Sequence, residues 1–155
     1  MKKSIELLKA KLEEKVKGAV KSIYIGDPYI IPNSAMPCLI INPVNTEASV
    51  ADNARDLYAH DITISLVIDA RQYFNATPDK MVGMVFLMDT MEGETSGSIN
   101  DDSIIGVLRG NLTLDTNRFI DNISSIDYTT RQRTEDLITL EATSHLTINY
   151  IVTRT

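Results

Sequence analysis

Apolar and polar residues alternate almost without a break from Arg55 to Asn75, in RDLYAHDITISLVIDARQYFN. Tyr58, His60, Ile62, Ile64, Leu66, Ile68 and Ala70 share one parity, and Asp61, Thr63, Ser65, Asp69 and Arg71 share the other. Period two predicts a strand with one buried and one wet face. The pattern persists for about sixteen residues, where about five or six is usual. A second over-long run, ITLEATSHLTINYIVTRT, closes the chain. There Ile138, Leu140, Ala142, Leu146, Ile148, Tyr150 and Val152 alternate with Thr139, Glu141, Thr143, His145, Thr147 and Asn149. The run NISSIDYTTRQ precedes it, with a turn expected near 134–136.

Helical spacing appears in three places. Over 3–20, Ile5, Leu8, Leu12, Val16 and Ala19 form a stripe at intervals of three and four, with Ser4 placed to cap the start. In TPDKMVGMVFLMDTMEG, Thr77 is the expected N-cap, Pro78 the first helical residue and Gly93 the stop. That helix is apolar nearly all round, which predicts cover on several sides and a core position for Phe86 and Leu87; Met81, Met84, Met88 and Met91 fall on one stripe. A shorter helix is expected in SIIGVLRGNL, capped by Asp101 or Asp102, with Ile104, Ile105, Leu108 and Leu112 inward. Between the first helix and the long strand, turns at Gly26–Pro28 and Pro32–Asn33 separate two short strands. The consecutive Leu39, Ile40 and Ile41 predict cover on both sides of the second one. Residues 43–53, PVNTEASVADN, are polar and aperiodic and are expected as a long, mobile loop, since hairpin loops usually have about two to five residues. Strands separated by helices in this order predict a single α+β domain over 1–155: a mixed, mainly antiparallel sheet with long strands and helices on one side.

Charge adds an asymmetry to this pattern. Residues 1–21 hold seven lysines against three glutamates, a balance of +4, so the rest carries −10 within a net −6. An acidic body of this kind is poorly suited to gripping nucleic acid, which needs clustered Lys and Arg. The single cysteine, Cys38, lies in the apolar run MPCLIIN and reads as a buried core thiol, compatible with the cytoplasm. No apolar run approaches the about 20 residues of a membrane-spanning helix, and no membrane role is expected.

Candidate chemistry is sparse. The two histidines, His60 and His145, both sit in strand patterns, and there is no GxSxG, CxxC, phosphate loop or dinucleotide fingerprint. The acidic stretch EGETSGSINDDS lacks the spacing of a calcium loop. No cofactor, metal or catalytic residue is therefore expected. The alternative reading, a small α+β enzyme or ligand-binding domain with an unknown substrate, would rest on His60 or Asp61 near a pocket.

What remains is architecture. Strands longer than a single helix layer can cover invite pairing with another chain. Glu47, Asp52, Arg55, Arg71, Arg131 and Arg133 are the candidate residues of such a self-assembly interface, an Arg of one copy meeting an acid of the next. Arg131 and Arg133 are expected to point outward near a sheet end, so that replacing both with Glu would spare the fold.

The leading helix KKSIELLKAKLEEKVKGAV, the passage MPCLIINPVNTEASVADNARDLYAHDITISLVIDA, the helix TPDKMVGMVFLMDTM and the closing pair IDYTTRQR…LEATSHLTINYIV together resemble the tail terminator, or tail completion, proteins of tailed bacteriophages. The resemblance spans nearly the whole chain. It implies a structural, non-enzymatic virion protein of the tail or neck, assembled in the host cytoplasm. It implies a homo-oligomer, a hexameric ring that caps the tail tube protein, stops its polymerisation and joins the head–tail connector. DNA would pass through its lumen without specific binding, and an acidic wall suits such a conduit.

Overall fold

The structure is a computed structural model that describes residues 1–16, 18–28, 30–74 and 82–154. The strands are β1 (Ser22–Ile25), β2 (Cys38–Val50), β3 (Arg55–Asp69), the minor hairpin β4 (Glu94–Thr95) and β5 (Ser98–Ile99), then β6 (Arg118–Thr134) and β7 (Leu137–Thr153). The helices are α1 (Lys2–Lys15), α2 (Ala70–Phe74), α3 (Val82–Met91) and α4 (Ile104–Gly110). The main sheet has the order β1-β2-β3-β7-β6. β1 runs parallel to β2, and the other neighbours in this sheet are antiparallel, so the fold is α+β as expected.

The two over-long alternating runs are each other's partners. β3 and β7 pair from Arg55 opposite Thr153 to Asp69 opposite Thr139. Their apolar parities form one continuous face. Ile62, Ile64, Leu66 and Ile68 join Leu140, Ala142, Leu146 and Ile148 beneath Leu8 and Leu12 of α1, Leu87 and Met91 of α3 and Ile104 and Leu108 of α4. Among the described residues, the opposite face is covered only at one end. There Cys38, Ile40, Val67 and Leu137 pack under Ile31 and Met36, which flank a short 3₁₀ turn at Asn33–Ala35. Two-sided cover is why Cys38, Leu39, Ile40 and Ile41 are all buried in succession. Burial in that pocket pushes the Cys38 thiol up to about 12.

Several local expectations are corrected. Residues 43–50, expected as loop, are the outer half of β2, which pairs with β3 as far as Val50 opposite Asp56. Pro43 has no N–H to offer, and the register slips between Pro43 and Asn45 with Val44 as the extra residue. Such a bulge breaks the parity by which a strand is recognised. Helix α1 stops at Lys15 rather than continuing to 20, with Gly18 at φ +104, a conformation other residues rarely adopt. Ser4 does not cap it; it lies buried inside the first turn. Helix α4 is capped by Ser103, whose hydroxyl accepts from the Gly106 N–H at 3.0 Å, and not by Asp101 or Asp102. Leu112, expected inward, is exposed beyond the end of α4. In α3, Leu87 and Met91 are buried, Phe86, Met84 and Met88 are half-buried and Val85 is exposed, so this helix is not covered all round. The expected cap at Thr77 and Pro78, and Met81, lie outside the described residues.

Candidate assembly interface

Past the end of β1 the sheet continues as an arm of β2, β3, β7 and β6, with β6 joining it as far as Arg118 opposite Tyr150. β1 ends at Ile25 opposite Ile41, and the Gly26 N–H donates to the Ile41 carbonyl at 2.8 Å. Past that point β2 has β3 on one side and, among the described residues, no strand on the other. Residues 43–50 are all exposed, with Val44 at 58% and Val50 at 69%. An exposed strand edge is a template for another chain. The exposed Ile25 and the bulge frame a groove of about 440 Å³, lined by Met1, Lys2, Ile5, Glu6, Ile25 and Pro43.

The arm is stiffened from within. At its tip, Asp52 accepts from the Ala54 N–H at 2.8 Å and from Arg55 Nε at 2.7 Å. The Arg55 hydrogen bond, aided by the Ala54 amide, holds the Asp52 carboxyl below the usual carboxylate range. Arg154 Nε donates to Asp56 at 2.9 Å, tying the end of the chain to β3. Close to the tip, in the row of Ala48, Tyr58 and Tyr150, the Arg118 guanidinium lies over the Tyr150 ring at 3.7 Å and pairs with Asp115 at 2.7 Å. Cation–π stacking of this kind favours Arg on a tyrosine face.

His60 sits beside this cluster and is buried, as its parity predicts. The Met1 amino group donates to its Nε2 at 3.0 Å, and Ser4 Oγ lies 2.8 Å from Nδ1. With Nε2 accepting, Nδ1 carries the ring proton and donates to Ser4. Burial, then the charges of the Met1 amino group and Arg118, lower the His60 pKa below its ordinary value, so the ring is held neutral. Asp61 points to the other face and accepts from the Thr147 hydroxyl at 2.8 Å. Both side chains proposed for a pocket chemistry thus have intrachain partners.

The six candidate interface residues separate into two groups. Glu47, Asp52 and Arg55 lie in the arm, with Glu47 exposed on β2. Arg71, Arg131 and Arg133 lie at the far end of the sheet, where Asp69, Thr139 and Arg131 share one transverse row. Arg71 Nε is 3.8 Å from Asp69. Arg131 is exposed and donates to Asp27 at 3.0 Å. Arg133, expected outward, is turned in: it donates to Asp27 at 2.6 Å and to Glu141 at 2.7 Å, and the Thr139 hydroxyl donates to the same Glu141 oxygen at 2.7 Å. Burial alone would raise the Asp27 carboxyl, but the hydrogen bonds and charges of Arg133 and Arg131 outweigh it and hold it below the usual range. The acids that Arg131 and Arg133 meet are in the same chain, which strand alternation alone did not reveal.

Among the described residues, no three His, Cys, Asp or Glu side chains gather as a metal site, and no helix is long and apolar enough to cross a membrane. No protein-family model matches the chain, and a search of curated proteins finds no match.

Proposed function

We propose that this protein is a structural subunit that assembles with copies of itself into a ring, and that the ring is the cap of a phage tail tube. The cap stops addition of tube subunits and offers its other face to the head–tail connector. The observation that carries this reading is the arm: among the described residues, β2 beyond Asn42 has neither face covered and one edge unpartnered, yet β3 and β7 continue to support it to their ends. Exposed strands contribute little to the stability of a lone domain, because sheet energetics depend on side-chain packing and burial. Contacts with neighbouring copies would bury them. The acidic balance outside the first 21 residues suits a channel wall along which DNA slides without being held. In this reading the protein resides in the virion tail or neck.

Light scattering on a size-exclusion column, followed by electron microscopy with purified tail tubes, tests the proposal. The expected result is a closed ring, free or on tube ends, and tubes that no longer elongate once it is bound. A chain that stays monomeric at every concentration, and leaves tube growth unchanged, would overturn it.

A further inference from the structure

Resting on the ring reading, we infer that neighbouring copies dock edge to edge and head to tail, the β2/α1 edge of one against the β6 edge of the next. The two edges match in height. On β2, Val44 is the extra residue between Pro43, opposite Ile62, and Asn45, opposite Asp61. On β6, Asp121 is the extra residue between Ile120, opposite Ile148, and Asn122, opposite Thr147. Asp61 faces Thr147 at the centre of the sheet, so Asn45, Asp61, Thr147 and Asn122 form one transverse row with a bulge beside each end.

Beside the two bulges the exposed charges are of opposite sign. Helix α1 packs by β1 and β2 and carries Lys2, Lys3, Lys9, Lys11 and Lys15 against Glu6, Glu13 and Glu14. Its first turn stands at the height of the bulges: Met1 and Ser4 bond to His60, which pairs with Thr46. Lys2 and Lys3 are exposed there. At the other edge, β6 carries Asp121 and Asp127 between Arg118 at one end and Arg131 and Arg133 near the other, the last two paired with Asp27. Asp121 and Asp127 are exposed on β6, as is Glu92 beside it. The Tyr128 hydroxyl donates to Glu92 at 3.0 Å, which ties the acidic β4–β5 region to β6.

The occupant of the β2 edge is therefore a second copy of this chain, because the same chain carries an exposed acid, Asp121, at the matching bulge of its opposite edge, with Asp127 further along the same strand. Bulges on both edges disfavour a continuous hydrogen-bonded ladder. The contact is made instead by side chains: lysines of α1 against the acids of β6, with Ile25, Pro43 and Val44 buried beside them. Two unlike surfaces of one chain make a head-to-tail contact, and matched heights favour the small rise with which its rotation closes into a ring.

Two variants test this. Lys2→Glu with Lys3→Glu reverses one edge, and Asp121→Lys with Asp127→Lys reverses the other. Circular dichroism checks that both are folded. Each alone is expected to associate at least tenfold more weakly than the unaltered protein, and added salt is expected to weaken the unaltered assembly. An equimolar mixture is expected to form rings again, because every contact then pairs opposite charges. A single chain carrying all four substitutions is expected to do the same. If both variants form rings alone, or if neither the mixture nor the four-fold variant assembles, the docking inference is wrong while the ring reading stands. If the unaltered protein forms no ring alone or on tube ends, both fall. Duplex DNA binding that is lost in the Lys2 and Lys3 variant, with rings intact, would assign the lysine edge to nucleic acid and overturn the docking.

Discussion

Arg133 Nε donates to Glu141 Oε1 at 2.7 Å, and only 5% and 6% of the two side chains are exposed. Two charges this far from water remain ionised only as a matched set. Here Thr139 supplies a further hydrogen bond to Glu141, and Asp27 a second acid for Arg133.

Removing one member of that set is expected to be costly. Arg133→Ala strands the buried Glu141 carboxylate, and a loss of about 3–5 kcal/mol is expected in urea denaturation. The pair replacement Arg133→Met with Glu141→Leu is expected to cost far less than the two single changes summed. The earlier expectation for glutamate at 131 and 133 is reversed accordingly: Arg133→Glu would place a third acid beside Glu141 and Asp27 and destabilise the subunit before any assembly step. A single-variant loss below about 1 kcal/mol would be that of a surface pair and would contradict this account.

Helix α3 separates two neighbours that the sequence treats alike. Leu87 is fully buried and Phe86 half-buried. Leu87→Ala is expected to cost about 2–5 kcal/mol, and Phe86→Ala less than the about 3–5 kcal/mol of a fully buried phenylalanine. Chemical denaturation of the two variants ranks them; a larger loss at Phe86 would reverse the packing described.

His60 gives stability a pH dependence with a definite sign. Its folded pKa lies below the ordinary 6.5, so the unfolded chain takes up a proton before the folded one. The contribution is complete above about 6.5 and declines as pH falls toward the folded value. Asp27 acts in a lower window: its depressed carboxyl contributes above the ordinary 3.8 and loses that contribution as pH falls through the folded value. Melting temperatures between pH 7 and 5 are expected to fall, and His60→Gln is expected to flatten that slope. An equal slope in the variant would assign the effect elsewhere.

Gly106 is held by space rather than by φ. A Cβ there would stand 2.1 Å from the Asn100 carbonyl oxygen, backbone that cannot swing away like a side chain. The same turn carries the Ser103 cap, whose hydroxyl also donates to that carbonyl at 2.6 Å. Gly106→Ala is expected to cost about 1–3 kcal/mol despite alanine's higher helix propensity, as overpacking does. A stabilised variant in thermal unfolding would refute the close approach.

How far the sequence could be read depended on whether a local pattern survived in the fold. Alternation identified β3 and β7 because one parity of each meets the same helix layer along most of its length. The triplet Leu39, Ile40 and Ile41 announced its two-sided cover because both cores reach that strand. The placement of His60 followed from parity alone. The outer half of β2 did not, because Pro43 and the extra Val44 interrupt the period and no core records a preference beyond them.

The amino-acid order by itself determined the two long strands and the amphipathic first helix, their apolar faces, the burial of Cys38 and the contrast between a basic first helix and an acidic remainder. Only the tertiary structure decided that the two long runs pair with each other, that Arg133 turns inward to Asp27 and Glu141, and that the bulges at Val44 and Asp121 lie at one height on opposite edges. The physical reason is range. Side-chain direction along a strand is set by the pleat, residue by residue, whereas the partner of a charge and the register of an edge depend on segments brought together from far along the chain, as Asp27 and Arg133 are, 106 apart.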